Sequence, residues 1–445
     1  MRTRMAWLVG LLAVSAGGMA ALSLGRGQEG PPREGPKAAD GPSTPAGQRP
    51  SASPASSPGK ARDLSKLLPL HRQMYLSAQG GADWLHRANR ADGRFVYGYV
   101  PDLNVILEGD HYLRQVGAAF ALARAARFTG DERYTAKARQ AVVTLLLDTM
   151  VDPADAQVRY TALPSLVVNR LATAGLLVMA INELPAPAED LLKQSEQLCA
   201  YIRKQQQPDG SLRTGDNSRE AKSQTDPDGI NYYPGEALYG LMLSQRHRPA
   251  AWKTDLVCKA RGYYQAWWRA HKSMALVPWQ TSAYTEAFLL TKDRAFADCV
   301  NEMNDWLCGL QYVQLDRNHP LWVGGFMAWA DGRAAALAPE AGSACYAESL
   351  AEACRVARQT GDRTRWLRYR EALEQSLRFL TTLQYTEANA QHFADWYRPA
   401  LLGAFHASHQ DGGLRIDYTQ HAVCALVQYL QSVAEVGGCV VSDGW

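Results

Sequence analysis

The feature that most limits what this chain can become is a recurring helix built almost wholly from small and apolar residues. Val116-Gly-Ala-Ala-Phe-Ala-Leu-Ala-Arg124 offers nearly every face to burial, so such a helix has to be packed on all sides. It runs to Thr129-Gly130-Asp131, where Gly130 suits a helix C-terminus and Asp131 the N-cap of a second helix from Glu132. The same turn returns at Thr360-Gly361-Asp362 after the small apolar stretch Ser349 to Arg358, and Thr291-Lys292-Asp293 is a weaker copy. The chain therefore repeats internally. Small-residue helices start near His111, Asn169, Tyr232, Ser282, Cys345 and Asp417. A more amphipathic helix precedes each one, near 69–89, 132–149, 187–206, 251–271, 294–312 and 363–384. Strand signals are few. The alternation predicts an all-α domain over residues 63–440, a closed (α/α)6 toroid of six helical hairpins with the small-residue helices crowded round one axis.

The connections are unequal. Residues 90–110, 150–166, 207–231, 313–343 and 385–416 all lead into starts of inner helices, whereas the turns after those helices are short. The long loops should gather at one end of the ring, and loops of this length in a compact domain usually carry function.

Ahead of the repeats lie two different segments. Arg2 and Arg4 precede an apolar run from Met5 to Leu24. This predicts a signal peptide or N-terminal membrane anchor over residues 1–25, with everything after it translocated. Residues 26–62 hold eight prolines among Gly, Ser and Ala, a composition that buries no core and predicts a disordered linker. The expected location is periplasmic or cell-envelope, tethered to the inner membrane if the segment is retained. A net charge of +3 gives no argument for nucleic acid. The eight cysteines form no CxxC and no zinc spacing. Buried free thiols are the expectation, with no metal, no cofactor and a monomeric chain.

The alternation of twelve helices, together with Gln205-Gln206-Gln207-Pro208-Asp209-Gly210-Ser211-Leu212, resembles the α/α-toroid families. The octapeptide is similar to the Q-x-x-D-G-S-W/F turn common in them. The resemblance is to the six-hairpin glycosidase group and, more faintly, to the terpenoid cyclases. It implies architecture and leaves open a range of chemistry: glycoside hydrolases, polysaccharide lyases, sugar epimerases, cyclases and prenyltransferases. The Asp-rich protonating motif of squalene-type cyclases is absent.

Aligning the inner helices places ionisable groups in register. Tyr233-Pro-Gly-Glu236, Tyr284-Thr-Glu286, Tyr346-Ala-Glu348 and Tyr418-Thr-Gln-His421 each set a tyrosine two or three positions before an ionisable side chain. Helix one offers Asp110, Tyr112 and Arg114, and helix two offers Arg170. On this register Glu236, Glu286, Glu348 and His421 line one cavity as catalytic candidates. Asp417, four residues before His421, would orient the imidazole. Asp110, Arg114, Arg170, Tyr232, Tyr233, Tyr284, Tyr346 and Tyr418 are candidate substrate contacts. Trp322 and Trp329, in the loop before helix five, are candidate sugar platforms. The bland reading is that glutamates in first helical turns serve the macrodipole or cap loop amides. Asp216, Asp226 and Asp228 are turn formers, calcium ligands or further carboxylates.

Two functions fit. One is a carbohydrate-active enzyme. Glycoside hydrolysis would use a pair of the carboxyl groups, and uronate lyase or epimerase chemistry would use His421 and a tyrosine, with the arginines neutralising the substrate. The other is a non-catalytic glycan- or protein-binding toroid on a membrane-proximal tether.

Overall fold

A computed structural model of the chain describes residues 63–162, 169–215 and 227–435, without the side chains of 227 and 228. The expected export segment and linker, Cys439, Asp216, Asp226 and the Asp228 side chain lie outside the described residues. Six inner helices are α2 (Tyr112–Thr129), α4 (Arg170–Glu183), α6 (Pro227–Ser244), α8 (Val277–Thr291), α10 (Ser343–Gln359) and α13 (Ile416–Ser432). Six outer helices precede them in turn: α1 (Pro69–Ala88), α3 (Glu132–Leu146), α5 (Glu189–Gln205), α7 (Ala251–Ala270), α9 (Arg294–Cys308) and α11 (Arg363–Thr382). A single turn, α12 (Arg398–Leu401), lies in the last long loop.

Each inner helix packs on the next, and α13 returns to α2, so the ring closes. The small residues make this possible. A Cβ on Gly175 of α4 would meet the Glu236 backbone of α6 at 2.6 Å, and one on Gly235 of α6 would meet Trp279 Cβ of α8 at 2.6 Å. One side chain more at either position would push neighbouring backbones apart. The repeated turns behave as their residues demand. Gly130 and Gly361 take φ +71° and +69°, the left-handed region where only glycine is unstrained. Asp131, Asp293 and Asp362 cap the helices that follow by accepting backbone N–H bonds.

Helices α6 and α8 begin at Pro227 and Val277, ahead of the expected starts at Tyr232 and Ser282. Proline in the first turn (Pro278 in α8) suits a helix start, because its missing N–H has no intrahelical partner there. The small-residue run marks the packed part of each helix and lags its true beginning.

The long loops hold more strand than the sequence signals. Strands β1 (Gly98–Val100), β2 (Val105–Ile106), β7 (His406–Ser408) and β8 (Asp411–Arg415) form one antiparallel sheet in the order β2-β1-β8-β7. Tyr99 of the first loop pairs with Leu414 of the last, which stitches the first and last hairpins together. β3 (Thr149–Asp152) with β4 (Asp155–Thr161), and β5 (Ala328–Ala330) with β6 (Arg333–Ala335), form two hairpins.

The Gln206…Gly210-Ser-Leu212 turn proves to be one of four copies. Isolated bridges join Asn89 to Phe95, Gln206 to Leu212, Gln311 to Phe326 and Gln384 to Phe405. In three of them the glutamine amide donates both to a loop glycine carbonyl and to the backbone of the next outer helix: Gln206 to Leu256, Gln311 to Ala372, Gln384 to Ser77. Gly403 shows why the motif needs glycine. Its φ is +90°, and a Cβ there would sit 2.1 Å from the Gly80 carbonyl oxygen of α1. Each copy clamps the loop end of one outer helix to its neighbour.

Candidate active site at the open end of the ring

The close contacts fix which residues share a level round the axis. Gly117 of α2 lies against Gln420 of α13, Gly175 of α4 against Glu236 of α6, and Gly235 of α6 against Trp279 and Gln280 of α8. Thr281 of α8 and Ser349 of α10 both bond Asn304 of α9. One layer therefore contains Glu236, Gln280, Glu348 and the Gln420–His421 pair. Glu286 is six residues beyond Gln280, about 9 Å deeper at 1.5 Å per residue.

Near the loop end of the axis, His421 Nδ1 and Glu348 Oε1 are 2.7 Å apart. Burial pulls the imidazole's pKa down, but Cys345 and the Glu348 carboxylate outweigh it, and the ring is held well above its ordinary value. The ring of Trp279 is 5.9 Å from it. Glu236, next to the Gly235 that packs on Trp279, is 7% exposed. Its Oε2 has no hydrogen-bond partner among the described residues. Burial pushes its carboxyl up to about 8, with His421 opposing. Glu236 is a protonated acid at neutral pH, the environment-driven shift that produces general acids.

At the rim of this cluster, Arg415 forks Asp417 at 2.6 and 2.9 Å, and Arg114 reaches the same carboxylate at 3.3 Å. Burial raises the Asp417 carboxyl, and the two guanidinium groups overcome this and hold it low. Arg114 also bonds the Tyr97 hydroxyl, and Arg415 lies 4.3 Å over the Tyr418 ring. Two arginines on one aspartate leave this edge positive. The carboxylate that orients His421 is therefore Glu348 from the neighbouring helix; Asp417, expected in that role, is drawn off by the arginines. Arg415 is in place because β8 is tied to β1 through Gly98.

The remaining candidates are distributed elsewhere. Glu286 belongs to a second cluster at the short-turn end: 2.8 Å from Arg355, which also binds Glu352 at 2.6 Å, and 3.9 Å from Arg246. Its register slipped by six residues because the Tyr-x-Glu pattern matched there, while Gln280 lay before the expected helix start. Tyr284 packs on Phe296 of outer helix α9 and Tyr346 on Phe326 of a loop, so both aromatic rings turn from the axis. Asp110 pairs with Arg94 at 3.2 Å and accepts from Gln115 at 2.8 Å. Arg170 lies 4.7 Å over Tyr160 and donates to the Thr161 carbonyl. Trp322 stacks on His319 at 3.9 Å, and Trp329 packs on Trp306 of α9 at 5.2 Å, over the outer layer. Tyr232 and Tyr233 stand half-buried in the early turns of α6. The sequence reading missed Trp279, Gln280, Cys345 and Arg415. The Val-Pro-Trp-Gln start of α8 would have exposed the first two. Among the described residues no group of three His, Cys, Asp or Glu is placed to hold a metal ion.

No protein-family model and no curated protein matches the sequence. Solved structures do match in fold. An unsaturated glucuronyl hydrolase from Bacillus sp. GL1 matches at TM-score 0.57 and 11% identity, over 82% of this chain and 98% of its own. The cellobiose 2-epimerase of Bacillus thermoamylovorans B4167 matches at TM-score 0.57 and 12% identity, over 80% and 97%. The GH76A α-1,6-mannanase of Salegentibacter sp. HEL1_6 matches at TM-score 0.54 and 10% identity, over 80% and 99%. The chain shares the fold of these structures, an α/α toroid of six helical hairpins, and no single family is defined.

Proposed function

We propose that the chain is an exported carbohydrate-active enzyme that hydrolyses a glycosidic bond at the loop end of the ring. The observation that carries this is Glu236, a buried, neutral carboxyl with an unpartnered oxygen, at the same level of the ring as the His421–Glu348 pair. At rest Glu236, its carboxyl pushed up to about 8 by burial, carries a proton. A site that rests as a donor is suited to protonating a leaving oxygen, the first act of glycoside hydrolysis. Glu236 gives its proton to the glycosidic oxygen. Glu348, held at 2.7 Å from His421, takes the proton of the attacking water. The positive edge at Arg114 and Arg415 favours a sugar that carries a carboxylate. Neighbours in fold act on saccharides by their names, and an inactive variant of the mannanase holds α-1,6-mannotetrose, which supports a glycan ligand.

Incubation of the purified chain with neutral and uronate-containing oligosaccharides, followed by mass spectrometry, tests the proposal. Fragments should appear with the wild type and fall by about 100-fold or more with E236Q. Binding without fragments would favour the non-catalytic toroid. A product of unchanged length with an altered sugar would favour epimerase chemistry with His421 as base.

A further inference from the structure

We infer that Trp396 is the platform of a distal sugar-binding subsite, which holds a glycan chain several units away from the bond that reacts at the mouth of the ring. The inference rests on the carbohydrate reading above and adds to it that the ligand is a chain of several sugars.

Trp396 stands apart from the other aromatic rings of the chain. It is 74% exposed, whereas every other Phe, Tyr and Trp among the described residues is buried or half-buried. One exposed apolar side chain is ordinary on a protein surface. This one differs because its ring is braced. It packs on Tyr397 at 5.7 Å, Tyr397 on Phe393 at 5.9 Å, and Phe393 on Tyr385 at 5.9 Å. Arg398 ties the segment down by donating to the Phe393 carbonyl at 3.0 Å and pairing with Asp395. The indole is therefore in place before any partner arrives, and a ring already in place binds without the entropy loss of ordering it.

The path from this ring to the mouth is continuous. The turn α12, which follows Trp396, is anchored on the loop end of α1, where Trp84 Nε1 donates to the Ala400 carbonyl at 2.9 Å. Tyr385, at the other end of the aromatic row, donates its hydroxyl to the Gly412 carbonyl at 3.2 Å. The two are in close contact, since a Cβ on Gly412 would lie 2.7 Å from that hydroxyl. Gly412 belongs to β8. Three strand residues further on, about 10 Å, Arg415 of the same strand forks Asp417 at the rim of the site. Aromatic row and strand together run from the margin of the loop face to the mouth.

The sequence neighbours of the ring point to what it receives. Gln391, His392 and Asp395 are all exposed, and the Asp395 side chain is 89% exposed. The exposed apolar surface of this segment is thus centred on one indole, with hydrogen-bonding groups about it. A pyranose has the complementary build, an apolar face of C–H bonds and hydroxyls round its edge, and an indole offers a flat apolar surface to such a face. A lipid surface would instead call for a broad apolar face with several large side chains together.

The test uses the full chain with W396A and W396F. Each is titrated calorimetrically with a neutral polymer (mannan), an acidic one (polygalacturonate) and the disaccharide of each. For a polymer that the wild type binds, W396A should lose affinity by at least about fivefold, against less than about twofold for its disaccharide, and W396F should keep most of the affinity. A second measurement needs no variant. Limiting N-bromosuccinimide, read out peptide by peptide, should oxidise Trp396 first among the tryptophans, and the bound polymer should slow that oxidation selectively. Unchanged polymer affinity in W396A, an equal loss for polymer and disaccharide, or oxidation that the bound polymer does not slow overturns the inference. The outcome is separable from the hydrolase reading. A polymer bound through Trp396 and never cleaved sinks only the hydrolase, and cleavage with no part for Trp396 sinks only the platform. A wild type that binds neither polymer overturns the platform, whatever it does to shorter sugars.

Discussion

The two ends of the ring axis hold similar residues in opposite conditions. At the short-turn end, Glu183, Glu286 and Glu352 are matched by Arg124, Arg246 and Arg355. The contacts run at 3.6 Å for Arg124–Glu183, 2.7 Å for Arg246–Glu183, and 2.8 and 2.6 Å from Arg355 to Glu286 and Glu352. Arg124 also donates to the Tyr239 hydroxyl at 2.8 Å. At the loop end, Glu236 keeps an unpartnered oxygen. Between the two, the rings of Phe120, Tyr239 and Trp279 stand in contact, 6.4 and 6.2 Å apart in turn. Burial alone does not make a carboxyl reactive. Burial pushes Glu286 up as well, and Arg355 and Arg246 bring it below the ordinary range. At Glu236 burial outweighs His421 and pushes the carboxyl up to about 8. Charges at one end are mutually satisfied and tie the ends of α2, α4, α6, α8 and α10 together. At the other end Glu236 is left short of a partner, the condition that a bound molecule can complete.

Substitutions at the two ends should therefore fail in different assays. R355M leaves Glu286 and Glu352 buried with their common cation gone. It should cost about 3–5 kcal/mol of folding stability by chemical denaturation, with activity per folded molecule retained. E236Q should do the reverse, keeping or raising stability while abolishing turnover. A mutant that loses both equally would erase the distinction. The clamps between outer helices should show a smaller effect. G403A forces a side chain into the left-handed region and against the Gly80 carbonyl, and should cost more than about 1 kcal/mol. Smallest is the rim pair. Asp110 is 45% exposed beside Arg94, so D110N should change stability by under about 1 kcal/mol.

What the sequence showed and hid follows from the same physics. The ring was legible because its requirement is compositional: helices packed on every side must be small and apolar, and the Thr-Gly-Asp turns separate them. The inter-helix clamps were visible in one copy, Gln206 to Leu212. The other copies keep only the amide, the glycine and an aromatic two residues on, as in Gly93-Arg-Phe95 and Gly403-Ala-Phe405, with variable spacing between. The site was half legible. Glu236, Glu348 and His421 share a level as the alignment predicted. Glu286 did not, because depth along a helix is set by close contacts such as Gly235 on Gln280, which no short motif encodes. Charge partners fixed by distant segments were likewise out of reach: Arg415 taking Asp417 depends on β8 being pinned at Gly98 by the first loop.

The protonation of Glu236 at neutral pH is the claim on which the contrast between the two ends rests. Its folded pKa of about 8 lies above the ordinary glutamate value. The stability it contributes is therefore full below the unfolded pKa and is lost as pH climbs through about 8. Infrared difference spectra of wild type minus E236Q across pH 5 to 10 observe the group itself. The account predicts one protonated carboxyl band at neutral pH that titrates near 8, accompanied by a fall in wild-type stability relative to E236Q over the same rise in pH. A wild-type spectrum in which Glu236 is already ionised at pH 6 would contradict it.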